Sequence, residues 1–383
     1  MSAPTRLAAL AAPTSAPESV VTDELAELEA VAAGLEQHTH AANTRRAYDA
    51  AWRAFVAFCD EHELEPLPAH PETVRWFVAW MSVQFDEHGL PRFSIATIRQ
   101  RLAGVADAHL RQGYLDPTGH RGVVDLVRGL TKVRATRPAR KRPLLLEDLL
   151  RVIGAMEHDV YPAGISAARD AAALWLGWAG ALRRSEVAAL RLSSLELHPG
   201  DGIHVSVGRS KADQDNTAPD KVVLPFGSST ATCPPCAVHR WVALLGCSDR
   251  RAVMTQLFGY QLRAHVCGVA GQRALITGAD LQSRSSLLRA TYRNRHTATI
   301  SADGVSGDAL GTMLATRVAE AGMDSRHYGF HSLRAGHVTQ ARRNGAPTEE
   351  IMRQGRWRKA ETVEIYDREW NPLSRNSVTR LGL

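Results

Sequence analysis

The sequence predicts a mainly α protein, in which an N-terminal four-helix domain is joined by a basic linker to a larger α-rich domain with a small antiparallel β-hairpin. Three observations support this: apolar residues recur at helical spacing, two short segments alternate apolar and polar residues, and a cationic, proline-containing stretch separates the two regions. A chain of 383 residues is longer than one hydrophobic core usually organises. We therefore expect two domains.

The N-terminal part combines a tail with a helical domain. Residues 1–38 are rich in Ala, Pro, Ser and Glu, a composition typical of a flexible tail. A helical domain is predicted at 39–135, and its first helix begins at Asn43, a residue type that favours helix starts. The other three helices are expected at residues 71–85, 94–111 and 122–135.

The stretch 131–143 carries six cations and no acid, and its prolines disfavour a continuous helix. We predict a linker at 136–143 and a second domain at 144–383. An extended basic strap can lie along a phosphate backbone, although a linker that only aids solubility would look much the same. The six cations are Lys132, Arg134, Arg137, Arg140, Lys141 and Arg142.

The charge balance fits a polyanionic partner. The net charge is +6, and 41 of the 46 cationic side chains are Arg, whose planar fork grips phosphate oxygens in pairs. Lys, by contrast, can release a proton. No run approaches the roughly 18 uncharged apolar residues that a membrane span needs, and there is no export signal, so we expect a cytoplasmic protein with no membrane contact.

Five cysteines, an odd number, are expected to be reduced thiols. The motif Cys233-Pro-Pro-Cys236, followed by His239, looks superficially like part of a zinc site. No second pair follows at zinc-ribbon spacing, however, and Pro-Pro is typical of the start of the apolar helix at 237–245. We therefore predict no metal site.

The second domain begins with a predicted helix at 144–156 and a uniformly apolar helix at 167–181, which should be buried. Alternating apolar residues at 203–207 and an apolar run at 222–224, separated by a polar turn, predict a β-hairpin. Residues 246–288 are mixed in character and rich in Arg and Gly, and their pattern supports no structural prediction.

Three features of this domain are suited to phosphate chemistry. Arg183 would lie in the turn before a helix that Glu186 helps to start, and an arginine beside a helix N-terminus attracts anions. Pairing with Glu186 would explain the same residues structurally. Lys211 follows the first predicted strand, where an ammonium could protonate a leaving alkoxide, although a lysine in a polar turn is usually only solvated.

A third feature is the sequence His331-Ser-Leu-Arg334, which places an imidazole and a guanidinium one helical turn apart. Trp357 and then Tyr366 follow towards the carboxyl end. Each residue separately could belong to a packed helix face. In this order and context, however, the five motifs from Arg183 to Tyr366 resemble those of the tyrosine recombinase (phage integrase) family, and the resemblance covers about residues 40–383 apart from 246–288.

The resemblance implies a fold and an activity. The four-helix domain would be the family's core-binding domain and the second domain its catalytic domain. The enzyme would cut and rejoin DNA through a 3′-phosphotyrosine, as a homo-tetramer that acts on two double-stranded sites through a Holliday junction. It would need no cofactor, no metal and no ATP. The ending at 375–383 resembles the short tail that family members use in protomer contacts.

Residue roles follow from the same resemblance. Tyr366 would attack phosphorus, Lys211 would protonate the departing 5′-oxygen, and His331 would accept or donate a proton. Arg183 and Arg334 would clamp the nonbridging phosphate oxygens, with Glu186 in a supporting position. Many family members have His where this chain has Trp357, and an indole can position a phosphate but cannot carry a proton away.

DNA contacts are assigned, as a hypothesis, to the basic residues of the helical domain and linker. They are Arg45, Arg46, Arg99, Arg101, Lys132, Arg134, Arg137, Arg140, Lys141 and Arg142. Three alternatives stay open: a type IB topoisomerase with the same nucleophile, a helical DNA-binding regulator whose catalytic motifs have become structural, and a zinc-dependent DNA-binding protein built on Cys233 and Cys236.

Overall fold

The computed structural model describes residues 27–28, 30–31, 42–134, 141–208, 220–256, 265–267, 284–294, 296–370 and 377–381. These residues are mostly helical with a small antiparallel sheet, which confirms the predicted fold class. The chain divides into two compact units between Pro138 and Ala139, within the predicted linker. The predicted domain limits themselves stay predictions. No helix in these ranges combines the length and the apolar character needed to cross a bilayer.

The first unit contains the four predicted helices. The second of them ends at Ser82 rather than at Phe85, because the chain reverses there: the backbone carbonyl of Gln84 accepts the N–H of Arg92 at 2.9 Å, and Phe85 pairs with Pro91. The described helices are α1 (Ala42–Glu61), α2 (Pro71–Ser82), α3 (Ile95–Arg111) and α4 (Arg121–Val133).

Aromatic and aliphatic side chains at helical spacing form the core of this unit. Phe55 of α1 and Phe77 of α2 are fully buried and meet edge to face, with ring centroids 5.2 Å apart. Met81 and Ile98 are also fully buried. Each such side chain stabilises the unit by roughly 1.5–3 kcal/mol relative to an exposed one, so packing rather than helix propensity holds the unit together.

The second unit is built mainly of helices around one large core. The helix bounds are α5 (Leu146–Gly154), α6 (Ala163–Ala179), α7 (Arg184–Ala189), α8 (Pro234–Gly246), α9 (Arg250–Met254), α10 (Gly307–Glu320), α11 (His331–Arg343), α12 (Thr348–Gly355) and α13 (Ala360–Trp370). Short 3₁₀ turns occupy Leu192–Ser194, Ser325–His327 and Ser377–Arg380. The strands are β1 (Leu195–His198), β2 (Gly202–Val207), β3 (Asp220–Leu224), β4 (Arg289–Arg293) and β5 (Ala298–Gly304).

The predicted β-hairpin is confirmed. β2 pairs antiparallel with β3, so that Val205 faces Val222 across the ladder, and β1 adds a third strand on the other side of β2. A separate antiparallel pair, β4 and β5, was not predicted, because β4 lies at the edge of the stretch for which the sequence pattern is mixed. Most of the predicted turn between β2 and β3 lies outside the described residues.

Helix α6 is the buried centre of the unit, as its uniformly apolar sequence predicts. Its one buried acid, Asp170, is 1% exposed and accepts from two arginines: Arg169 Nη2 at 2.6 Å and Arg317 Nη2 at 2.8 Å. A buried carboxylate is tolerated only when it is paired. Because Arg317 lies on α10, this ion pair fixes α10 against α6.

Candidate active site

The turn between α6 and α7 positions Arg183. Arg183 is the residue that precedes the first turn of α7, and its backbone N–H donates to Glu186 Oε2 at 2.7 Å. Its Nη1 donates to Glu186 Oε1 at 2.6 Å, so the pairing that the sequence left open is present. The Arg183 side chain remains 28% exposed, so it is only partly shielded from solvent.

Glu186 holds a second arginine as well. Its Oε2 accepts from Arg356 Nη2 at 2.5 Å, and the glutamate side chain is only 4% exposed. Burial opposes ionisation, but Arg356 and Arg183 outweigh it and lower the pKa of Glu186 below its ordinary value. The glutamate is therefore an anion at neutral pH, and it holds two guanidinium groups side by side.

Helix α11 carries His331 and Arg334 one turn apart. Arg334 is 2% exposed, and its two terminal nitrogens donate to the backbone carbonyls of Ala181 and Gly355. Burial and the nearby Arg183 lower the pKa of Arg334 to about 9, so it remains a cation at neutral pH. A guanidinium has five N–H donors, so these two bonds leave donors for a further acceptor.

Left-handed backbone conformations occur at one of these carbonyl partners, Ala181, and at the residue that follows the other. Ala181 has φ +46°, and Arg356, which follows Gly355, has φ +54°. Side chains other than glycine rarely adopt such values, which cost of order 1–3 kcal/mol and persist only where the surroundings enforce them. The bonds from Arg334 therefore help to hold two sharp turns, one after α6 and one after α12.

Trp357 covers Arg334. The Arg334 Cζ lies 3.9 Å from the centroid of the indole ring, a cation–π contact. The ring also meets Tyr366 edge to face, with centroids 6.3 Å apart. A Cβ at position 355 would overlap the indole, so glycine is required there for the ring to lie this close to the backbone.

Tyr366 lies on α13, which is anchored by Val363 in a small cluster with Val338 and Ile351. The Tyr366 hydroxyl and His331 Nε2 are 2.6 Å apart, within hydrogen-bond distance. Loss of water around the imidazole, together with Arg334 and Arg183, lowers the pKa of His331 below its ordinary value of 6.5. The ring is therefore mostly neutral at pH 7 and can accept the phenolic proton.

The structure brings together six of the seven residues for which a catalytic role was predicted. Their contacts form two groups: Arg183 with Glu186, and His331 with Arg334, Trp357 and Tyr366. Arg356, which pairs with Glu186 and directly precedes Trp357 in the chain, links the two groups. The seventh, Lys211, lies outside the described residues. The connected residues are Arg183, Glu186, His331, Arg334, Trp357 and Tyr366.

Two residues of this region were not singled out from the sequence. Arg356 directly precedes Trp357 in the sequence, but its pairing with Glu186 depends on a left-handed turn that the sequence does not reveal. Gln354 Nε2 donates to the carbonyls of Ala179 and Val223, both at 2.9 Å, and so connects α12 to the end of α6 and to β3. No sequence pattern indicates this contact.

The predicted DNA-contact residues differ in their surroundings. Arg101 stacks over the Phe93 ring at 4.3 Å, and Arg134 donates to the carbonyls of Phe93 and Ser82, so both have structural contacts within the first unit. Arg137 and Arg140 lie outside the described residues. The DNA contacts stay a prediction. Arg45 is half-buried, and the exposed members of the set are Arg46, Arg99, Lys132, Lys141 and Arg142.

Comparison with known proteins gives two sequence relatives, whereas no protein-family model matches the chain. The chain is 24% identical over 348 residues to an integrase/recombinase XerD homolog from Selenomonas ruminantium, covering 90% of this chain and 87% of the relative. It is 25% identical over 321 residues to the Cre recombinase of Escherichia phage P1, covering 82% and 81% respectively. Both relatives are recombinases matched over most of their length.

Two solved structures share the fold. The Tn1549 transposon integrase in complex with transposon right end DNA matches with a TM-score of 0.52 and 13% identity, covering 92% of this chain and 98% of that one. A lambda integrase dimer bound to a core site matches with a TM-score of 0.50 and 13% identity, covering 89% and 94%. The resemblance predicted from the sequence motifs is thus confirmed by relatives and fold together.

Proposed function

We propose that this chain, whose sequence relatives and fold neighbours are tyrosine recombinases, is a site-specific DNA recombinase that cuts and rejoins strands through a covalent bond to Tyr366. The observation that carries the proposal is the 2.6 Å contact between the Tyr366 hydroxyl and His331 Nε2, beside a buried cation, Arg334. A phenol that shares a hydrogen bond with a neutral imidazole is an activated nucleophile.

In the proposed cleavage step, Tyr366 Oη attacks the scissile phosphorus while its proton passes to His331 Nε2. The bond from phosphorus to the 5′-oxygen breaks, and a 3′-phosphotyrosine forms. Lys211 protonates the departing oxygen, a role that rests on the family resemblance. In the reverse step, a 5′-hydroxyl attacks the phosphotyrosine and releases Tyr366, so the energy of the broken phosphodiester is conserved and no ATP is needed.

The transition state would be stabilised by fixed cations. Of the two arginines proposed to clamp the phosphate, Arg183 and Arg334, Arg183 is the partly exposed one. Glu186 would orient its guanidinium so that the remaining N–H donors point to a nonbridging oxygen. Arg334, held by two carbonyls and covered by Trp357, would supply charge that needs no rearrangement when phosphorus becomes pentavalent. With two arginines and a lysine in place, we propose that the phosphoryl transfer requires no divalent metal.

Double-stranded DNA is the proposed partner. The fold neighbours were solved on DNA, the lambda integrase as a dimer bound to a core site. By the family pattern, four protomers would bind two sites and exchange strands through a Holliday junction. The net charge of +6 supports binding to a polyanion but does not distinguish among polyanions.

The proposed function is tested with a pool of nicked duplexes of random sequence, in which a strand break near the cut lets the cleaved fragment leave and traps the covalent product. The wild-type chain should form a protein–DNA adduct that resists denaturant, in a brief incubation with EDTA to bind free Mg²⁺. Tyr366→Phe should form none. Sequencing the trapped duplexes would reveal the cognate site, and an adduct of equal yield with Tyr366→Phe would overturn the proposal.

A type IB topoisomerase would pass the same test, so a second assay separates the two. A plasmid that carries two copies of the trapped site should yield deleted or inverted products with the wild-type chain. Relaxation of supercoils without exchange between the sites would favour the topoisomerase. If the chain bound DNA but formed no covalent adduct, the result would favour a DNA-binding regulator.

A further inference from the structure

The second unit contains a cluster of three thiols and an imidazole that has no part in the proposed chemistry. Cys233 and Cys236 lie at the start of α8, whereas His265 and Cys267 come from the short described stretch 265–267. Their four ligand atoms all lie within 4.8 Å of one another, and the three cysteines are buried. Two pieces of chain separated by about thirty residues thus meet through side chains that all bind soft metal ions.

We propose that Cys233, Cys236, His265 and Cys267 bind one Zn²⁺ ion in a tetrahedral structural site. The distances between ligand atoms fit such a site. Cys267 Sγ lies 3.6 Å from Cys233 Sγ and 3.3 Å from Cys236 Sγ, and His265 Nδ1 lies 3.5 Å from Cys236 Sγ and 3.9 Å from Cys267 Sγ.

Zinc geometry predicts similar values. With Zn–S near 2.3 Å and Zn–N near 2.05 Å, a regular tetrahedron has edges of about 3.8 Å between sulfurs and about 3.6 Å between sulfur and nitrogen. All four observed separations lie within about half an ångström of these edges. An S–S bond is about 2.05 Å long, so none of the thiol pairs is bonded, and the cysteines are free.

The charge around the cluster supports the same assignment. The Arg240 guanidinium, one turn along α8 from Cys236, is near enough to all three sulfurs to stabilise their thiolate forms. Three thiolates, a neutral imidazole and Zn²⁺ together carry one negative charge, which a guanidinium balances.

The site is closed, because four protein ligands complete the tetrahedron and leave no position for water or substrate. Its role is therefore structural: the ion would fasten the stretch 265–267 to the first turn of α8. Cys233, Cys236 and Cys267 belong to the same core as α6, the helix that leads into the Arg183 turn. Zinc would then hold residues 265–267 against this core.

The sequence pattern failed to predict this site for a specific reason. The second ligand pair has the spacing His-x-Cys and falls in the stretch whose character is mixed, so it does not resemble a zinc ribbon. His239, the histidine considered from the sequence, is not in the cluster: it is fully buried, and neither ring nitrogen has a hydrogen-bond partner among the described residues.

The first test is metal analysis of the full chain, purified without chelator and with any affinity tag removed. We expect about one zinc per chain in the wild type, as for a structural site. Cys236→Ser and Cys267→Ser should each lose most of it. Cys247→Ser and Cys59→Ser are the matched controls, because these cysteines lie outside the cluster, and both should retain the ion.

A further control tests whether zinc binds elsewhere on the chain, because His198, Asp201 and His204 form a second possible ligand group on the surface. His204→Asn should not change the zinc content. Loss of zinc in that variant, zinc retained in both cluster variants, or iron in place of zinc would each overturn the proposal. So would a mass two units below the reduced chain under non-reducing denaturation, which indicates a disulfide.

A measurement on the wild-type chain keeps the proposal testable if the cysteine variants fail to fold. The protein is grown with Co²⁺ in place of zinc, and its absorption spectrum is recorded. Thiolate-to-cobalt charge-transfer bands and intense visible bands are expected from a tetrahedral site with sulfur ligands. A wild-type chain with neither zinc nor these cobalt bands would contradict the proposal, whatever the outcome of the DNA cleavage assay.

Discussion

His331 Nε2 and the Tyr366 hydroxyl lie 2.6 Å apart, and this contact joins helix α11 to helix α13. The two residues are far apart in the chain, so their contact depends on the packing of Val338, Ile351 and Val363 beneath them. The phenol thereby has a base within hydrogen-bond distance.

Replacing His331 by Gln should slow formation of the covalent adduct by roughly 10²- to 10⁴-fold, because glutamine accepts a hydrogen bond but does not take up a proton. Single-turnover cleavage of the trapped site measures this rate. DNA affinity, measured in parallel by titration, should be nearly unchanged. A rate equal to that of the wild type would show that another group accepts the proton.

The pH dependence of cleavage should show the lowered pKa of His331. Neutral imidazole is the form that accepts a proton, so activity should fall as the pH drops through the pKa of the folded state. Because that pKa is below 6.5, the acid limb should have its midpoint below pH 6.5. In His331→Gln this limb should disappear, whereas a midpoint above 6.5 in the wild type would contradict the assignment.

Trp357→Ala should expose Arg334 and remove a cation–π contact worth roughly 0.5–2 kcal/mol. We expect slower cleavage and weaker binding of the scissile phosphate, with partial recovery in Trp357→Phe, which retains an aromatic face. Trp76, which is 52% exposed in the first unit, provides the control. If Trp76→Ala and Trp357→Ala reduce single-turnover cleavage equally, the effect does not arise from the cover over Arg334.

Glu186→Gln should lower the free energy of unfolding by roughly 3–5 kcal/mol, because it removes the buried anion that both Arg183 and Arg356 contact. Urea denaturation measures the loss. Glu196, an exposed partner of Lys221, is the matched control, and Glu196→Gln should leave the denaturation midpoint in place. Equal shifts of the midpoint for both variants would mean that the buried Glu186 ion pairs contribute no more to stability than the exposed Glu196 pair does.

Arg317 pairs with a buried acid, Asp170, and with a more exposed one, Glu320. Asp170 also pairs with Arg169, so the two acids differ both in burial and in the number of arginines they hold. Asp170 is 2% exposed as a side chain, whereas Glu320 is 44% exposed. Asp170→Asn should cost roughly 3–5 kcal/mol of unfolding free energy, and Glu320→Gln less than about 1 kcal/mol. Thermal and urea unfolding of the two variants would test the difference, and similar costs would contradict it.

Much of the fold could be predicted because local patterns have local causes. Apolar residues at helical spacing predicted the four helices of the first unit and helix α6, and alternation in residues 203–207 predicted the hairpin. The helix ends were less predictable, because they depend on distant partners. Helix α5 begins at Leu146 rather than at 144, since the Leu144 N–H donates to the carbonyl of Ser332 on α11.

The amino-acid order by itself determined which side chains are available for chemistry: Arg183, His331, Arg334, Trp357 and Tyr366 could be selected because their types and order are characteristic. Only the tertiary structure decided which groups meet. The pairing of Arg356 with Glu186 and the approach of His265 to Cys236 join segments far apart in sequence. Sequence periodicity describes one element at a time, whereas such contacts arise only when whole elements pack together and bury their shared apolar surface.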